Sequence, residues 1–444
     1  MTYSRRNYVP KKRRHIRWRV ALPLLILLAL ILYSIGNILL KPKEIIEEVT
    51  YTVCDYSQAK AQTTLHDLTY GETVEVKDYL YYGETLNLYS SVYNTASKDS
   101  FVGKTLILKN ICDGNEWVYM LNSTIDGQIP LEELDPGFYE IFITQDLVRK
   151  RLVSADVIND TSYTLRRNNG NGKIVDLIAN KDLLKSAVDQ PSLMDQNYLF
   201  LRITEGPIPD EVADIYIDAA HRSKNGNSVE TGQSAFDMIE AEETYKLALL
   251  MKTEFAKYGL KTVISRNDES EVVSSFGTDG RLHRAYKSKA KYYIELQMNG
   301  STNAAQRGTQ VIYSSFASNR VATIVFKSLM ETGDLVSTGN YSKGNISGVV
   351  ASLKDSGLDS RPVIRESGGR ILAAGTIGKL SISGNASFAA KSRLGLQALT
   401  IEYIYLSNAQ DAAVWKAKMN LIAENTVAGY VKALRLNAVS TATP

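Results

Sequence analysis

Apolar positions follow three different rhythms along the 444 residues. Residues 20–40, VALPLLILLALILYSIGNILL, form one run without a charge. From about Val76 to Asn180, short runs rich in Tyr, Val, Ile, Leu and Thr alternate with turn residues, as in ETLNLYSSVY, KTLILKN, EWVYML and GFYEIFIT. That spacing predicts an all-β, sandwich-like region. The DPG before FYEIFI signals a hairpin or corner. Leu183–Asn197 reads as a short helix and connector. Beyond GPIPDE, near residue 206, strand-like runs (DIYIDA, KTVISR, KYYIELQ, TQVIYS, ALTIEYI) alternate with helical patterns. The helices are expected at Glu240–Tyr258, Asp279–Ala290, Asn319–Thr332 and Ala412–Leu434. This alternation predicts an α/β architecture with a mostly parallel sheet and helices on both faces.

The run at 20–40 is long enough, at 1.5 Å per residue, to span the roughly 30 Å of a bilayer's hydrocarbon core. The basic stretch RRNYVPKKRRHIRWR precedes it, so the N-terminus is expected in the cytoplasm and the rest of the chain outside a cell membrane. A cleaved signal peptide fits less well: the apolar run exceeds the usual length and no A-x-A site follows. The expected organisation is a basic tail (1–19), one transmembrane helix (20–40), a stalk (41–75), a β-rich region with its connector (76–205), an α/β domain (206–438) and a tail (439–444).

Composition sharpens this picture. With 44% hydrophobic and 22% charged residues, most of the chain should fold. Of the 51 Lys and Arg, ten fall in residues 1–43, which hold no Asp or Glu; the remainder carries 41 basic against 48 acidic side chains, a net of −7. A nucleic-acid partner would need a basic patch on the folded part, and none is implied. The two cysteines, Cys54 and Cys112, both fall on the expected outer side, where a disulfide between them is permitted and two unpaired thiols are equally compatible. Neither lies in the C-terminal domain, which therefore has no Cys nucleophile. Walker A, Rossmann and G-x-S-x-G motifs are absent, and RNNGNGK (Arg167–Lys173) suits a turn better than a phosphate loop.

The chemistry gathers after residue 211. DIYIDAAH puts His221 at the C-terminal end of a strand, where open α/β sheets build their sites. Taken alone, a strand-end histidine is more often a hydrogen-bonded structural imidazole. The order of the following motifs, over roughly residues 211–435, resembles the zinc-dependent N-acetylmuramoyl-L-alanine amidases (type 3 amidase domain), which cleave the amide joining muramic acid to the stem peptide of peptidoglycan. That family's DAGHGG is matched by DAAHRS, and its helix-opening metal Glu by Glu240 in EAEETYKLA. Its TR-x-D is matched by SRND, its SIH-x-N by ELQMN (Glu295–Asn299), and its G-x-E-x-Y by GTQVIYS. Its Arg sixteen residues before the second metal His is matched by Arg281. Its closing strand, with the catalytic Glu, is matched by IEYIYLSNAQD and Glu402.

The resemblance implies that two His and one Glu hold a zinc ion and leave a position open for water. Here the second His is Gln297, so the implied metal set is His221, Glu240 and Gln297, a harder and weaker donor for zinc. Glu402 is implied as the catalytic acid–base, with Arg281 and Asn299 as substrate-binding or structural support. His15 and His66 fall outside the domain, and His283 has no reason to reach the site. Family glycines are replaced by Ala220, Arg222 and Ser223.

Two readings stay open. One is an active amidase with an atypical zinc shell. The other is a pseudoenzyme that binds peptidoglycan or a cell-wall, division or sporulation protein. A surface adhesion or scaffold protein acting through the β-rich region is the alternative of another class.

Overall fold

The computed structural model describes residues 72–90, 101–121, 128–167, 171–181, 196–338, 348–352, 354–355, 358–370 and 392–437. The expected basic tail, transmembrane helix, stalk up to residue 71, Cys54 and the 439–444 tail lie outside the described residues. Among the described residues no helix is long and apolar enough to cross a membrane. Of the Leu183–Asn197 connector only residues 196–197 are described, and Asn197 opens a strand.

The N-terminal half is built from strands β1 (Thr73–Glu75), β2 (Asp78–Tyr82), β3 (Thr85–Tyr89), β4 (Thr105–Asn110), β5 (Glu116–Met120), β6 (Gln128–Pro130), β7 (Gly137–Gln145), β8 (Val148–Ser154), β9 (Ile158–Arg166), β10 (Asn171–Ala179) and β11 (Asn197–Pro207). One sheet runs β5-β4-β7-β8-β11-β10-β9, with β1 parallel to β8. Strands β2, β3 and β6 belong to a second sheet. Alternate residues of both sheets, among them Leu86, Leu88, Leu108, Ile141 and Leu201, share one apolar core, the two-layer arrangement that period-2 strands require. The DPG segment is not a hairpin turn. It joins a short 3-10 helix, Leu131–Glu133, to β7. A tight hairpin follows at β7–β8, whose turn residues Asp146 and Leu147 both have positive φ. Cys112 is disulfide-bonded.

The C-terminal half comprises β12 (Ile215–Ala219), β13 (Ser223–Asn225), β14 (Ser228–Glu230), β15 (Ser234–Ala235), β16 (Met238–Ile239), α1 (Glu240–Ala256), β17 (Thr262–Ile264), α2 (Arg281–Lys287), β18 (Tyr292–Asn299), β19 (Gln310–Tyr313) and α3 (Arg320–Met330). These are followed by β20 (Val349–Ala351), β21 (Lys354–Asp355), β22 (Leu358–Asp359), α4 (Pro362–Ser367), β23 (Leu394–Gly395), β24 (Gln397–Tyr405) and α5 (Ala409–Ala433). The central sheet runs β17-β12-β18-β24-β19-β20, and every pairing is parallel except β19–β24. Residues of α1, α3 and α5 cover one face of it, and residues of α2 and α4 the other. The α2 helix is shorter than the expected Asp279–Ala290. Asp279 and Lys289 sit in left-handed conformations, which end a helix on either side.

Alternation along the central strands explains where polar groups collect. Ile215, Ile217 and Ala219 of β12, Ile294 and Leu296 of β18, and Leu399 and Ile401 of β24 all enter the α1/α3/α5 core. The opposite face starts apolar with Tyr216, Tyr293 and Ala398. Toward the strands' C-terminal ends the same face carries Asp218, Glu295, Gln297, Asn299, Thr400 and Glu402.

The two halves are joined through more than the chain. Strand β23 pairs in parallel with β2 and so completes the second sheet of the N-terminal half. Arg166 Nε donates to Asp214 Oδ2 at 2.8 Å, with both side chains buried.

Candidate functional site

Strand β12 delivers its last residues into a sharp turn. His221 and Arg222 have φ of 70° and 58°. Two consecutive non-glycine residues in the left-handed region are strained, and surrounding structure must hold them. Arg281 does so: it is 2% exposed, its Nη1 donates to His221 O at 2.9 Å, and its Nε lies 2.6 Å from Asp218 Oδ1. Tyr293 OH donates to the other Asp218 oxygen. Burial therefore places Arg281 beneath the turn.

After the turn, hairpin β13–β14 carries the chain out and back, so that Glu230 Oε1 lies 2.6 Å from His221 Nδ1. A second hairpin, β15–β16, leads into α1, whose first residue is Glu240. His221 Nε2 lies 2.8 Å from Glu240 Oε1. The same oxygen accepts the Met298 N–H at 2.6 Å, and Oε2 accepts the Gln233 N–H at 2.8 Å. Gly232, with φ 77°, makes this closeness feasible: a Cβ there would sit 2.5 Å from Glu240 Oε2 and 2.8 Å from His221 Cδ2. Burial alone would lower the His221 pKa. The hydrogen bond and charge of Glu240, with Glu230 behind them, outweigh it and raise the value.

The third expected corner is turned elsewhere. Gln297 Nε2 donates to Glu295 Oε1 at 2.9 Å, and Thr400 Oγ1 donates to Glu295 Oε2 at 2.6 Å. Burial first, then the Asp218 charge, pushes the Glu295 carboxyl up to about 7. Glu402 stands opposite Gln297 in the β18–β24 register and is 3% exposed. Its Oε2 accepts from Asn299 Nδ2 at 2.6 Å and from Gln310 Nε2, and its Oε1 pairs with Arg361 Nη2 at 2.9 Å. His283 is away from the site: its Nδ1 accepts the Asp279 N–H.

The structure thus brings His221 and Glu240 together, gathers Asn299 on Glu402, puts Arg281 beneath the turn, and leaves the Gln297 amide facing Glu295. Glu230, Glu295, Gln310 and Arg361 were not singled out from the sequence. The NG at the tip of the β13–β14 hairpin was a signal that could have found Glu230. Nothing local marks Arg361.

A zinc site of the family's kind needs three protein donors converging on one point. Here one imidazole nitrogen and one carboxylate converge, the other ring nitrogen meets Glu230 as that of a metal-bound histidine commonly does, and in place of the second imidazole stands a neutral amide whose nitrogen donates to Glu295. Among the described residues no group of three or more His, Cys, Asp or Glu could hold a metal ion. The donor set does not fit the family's metal.

Residues 215–432 match the family described as N-acetylmuramoyl-L-alanine amidase. That stretch is an amidase-family domain. Solved structures similar to this chain include the catalytic domain of CwlV, an N-acetylmuramoyl-L-alanine amidase from Bacillus (Paenibacillus) polymyxa var. colistinus. It is 19% identical, with 51% of this chain and 100% of that one covered, at a TM-score of 0.34. The amidase Ami1 from Mycobacterium smegmatis is 15% identical over 50% of this chain and 97% of its own, with a TM-score of 0.35. The CwlD amidase from Clostridioides difficile, solved in complex with the GerS lipoprotein, is 15% identical over 50% and 98%, with a TM-score of 0.32. None of the curated proteins matches the chain.

Proposed function

We propose that this chain is a peptidoglycan-directed cell-wall protein, anchored in a membrane through residues 20–40, whose amidase-family domain binds its target without zinc-driven hydrolysis. One observation carries the reading: His221 and Glu240 meet without a second imidazole, and the side chain that stands in its place, Gln297, has its amide nitrogen turned to Glu295. The state of Glu402 supports it. Its two oxygens already accept from Asn299, Gln310 and Arg361, which leaves one of about four acceptor sites of a carboxylate for a water.

On this reading the polar face recognises. The side chain of Arg361 is 43% exposed at the site's edge and offers a guanidinium fork to a carboxylate of the stem peptide. The β-rich half, sharing a sheet with the amidase-family half, presents that face at a fixed orientation. An active amidase with an atypical shell is favoured by one fact, that Glu402 stands in register beside position 297.

The experiment uses the purified full chain in detergent. Metal content is measured, the chain is incubated with peptidoglycan, and free stem peptide and co-sedimentation are scored. The expected result is co-sedimentation, well under one zinc per chain and no peptide release. One zinc per chain together with released stem peptide would establish the active reading instead.

A further inference from the structure

We propose that Glu295 is the positioning residue that keeps the third corner of the site closed, so that a histidine at position 297 rebuilds a zinc centre only when Glu295 is removed as well. The proposal rests on the reading that the present donors do not hold zinc.

Glu295 and Gln297 lie two residues apart on β18 and so share one face of the sheet. The Glu295 carboxyl is 5% exposed, and both its oxygens are matched, one by the Gln297 amide at 2.9 Å and one by the Thr400 hydroxyl at 2.6 Å. Swinging the amide toward His221 and Glu240 would strip a buried oxygen of its donor, which opposes the movement. The direction matters equally. His221 follows the C-terminal end of β12, and Glu240 accepts the Met298 N–H near the C-terminal end of β18. Glu295 lies back along the strand, so it draws the 297 side chain away from them.

An imidazole placed at 297 would meet the same acceptor at the same reach. Its N–H would satisfy Glu295, and its ring would be held back along the strand. The family motif that the segment resembles has Ser at this position, a side chain too short to reach so far. The two departures from that motif on this face of the sheet, Glu295 and Gln297, are thus one hydrogen-bonded unit.

The test titrates zinc alone, against a competing chelator, into four full-length proteins: the unsubstituted chain, Gln297→His, Glu295→Ser and the double variant. Only the double variant is expected to take up one zinc per chain, binding about 10–100-fold tighter than Gln297→His, which is the size, with the opposite sign, of the change that losing a group behind a metal ligand ordinarily brings. Metal-free unfolding midpoints check that all four fold. Glu295→Gln, which keeps the shape and removes the charge, replaces the Ser variant if that one does not. Equal zinc affinity of Gln297→His and the double variant would overturn the proposal, because Glu295 would then be orienting the ring instead of withholding it. Failure of the double variant to bind would overturn it as well. Stoichiometric zinc on the unsubstituted chain would remove the reading beneath it, and that is read in a separate sample.

Discussion

The two left-handed residues after β12 show what single side chains contribute here. Arg222 stands where the resembling family has glycine, and its φ of 58° is the conformation a glycine adopts without strain. The turn persists because Arg281 grips it from beneath, through the His221 carbonyl and Asp218. Arg281→Met should therefore cost about 3–5 kcal/mol, since it leaves the fully buried Asp218 without its cation. Chemical denaturation of the two proteins measures this, and a loss under about 1 kcal/mol, the range of an exposed pair, would show that the buried pair does not hold the turn. The sequence made His221, Glu240, Gln297 and Glu402 legible as an ordered set, because the motifs around them follow the order of the family they resemble. It did not reveal which way Gln297 points. That direction depends on Glu295 and on Thr400, which lies on a neighbouring strand 105 residues from Glu295.

Among the elements, the central strands were readable because their alternation is strict on one face. The helices were readable to within a few residues, and their ends moved where left-handed residues stopped them. Strand β23 was not readable. It has two residues, too short for any period, and it takes meaning only from its partner β2. The packing of α5 on α3 was equally invisible, and at one residue it leaves no room for a side chain. At Gly429 an added Cβ would lie 2.7 Å from Val325 Cα of α3. The neighbour is backbone, so the helices themselves would have to separate. Gly429→Ala, which raises helix propensity, should nonetheless destabilise by about 1–3 kcal/mol. Thermal unfolding decides between the two effects: a raised midpoint would show that the helices part freely and that the close approach is not required.

For the whole molecule, the consequential feature is the seam between its halves, which the sequence presented as two successive regions. A run of residues can announce a strand, but it cannot announce that a lysine on one sheet will be buried against another. Lys291, just before β18, is 3% exposed, and its Nζ donates to Thr164 Oγ1 of β9 at 3.1 Å and to Ala213 O at 3.2 Å. Burial, only partly offset by the Asp214 carboxylate, lowers its pKa to about 8. A lysine that holds its proton less tightly folded than unfolded takes up a proton on unfolding. Stability therefore rises with pH, from about 8 toward the unfolded value near 10.4. Between pH 8 and 9.5 this residue should add about 1–2 kcal/mol. The buried tyrosines act in the opposite sense, because their raised pKa values make unfolding release protons, but only from about pH 10 upward, where an unfolded tyrosine titrates. Denaturation of the full chain and of Lys291→Met at pH 7, 8 and 9.5 isolates the lysine. The two stabilities should run parallel from pH 7 to 8 far more nearly than from 8 to 9.5, where only the unsubstituted chain should gain. Parallel behaviour throughout would mean that Lys291 stays charged and hydrated, and that the seam between the halves admits water.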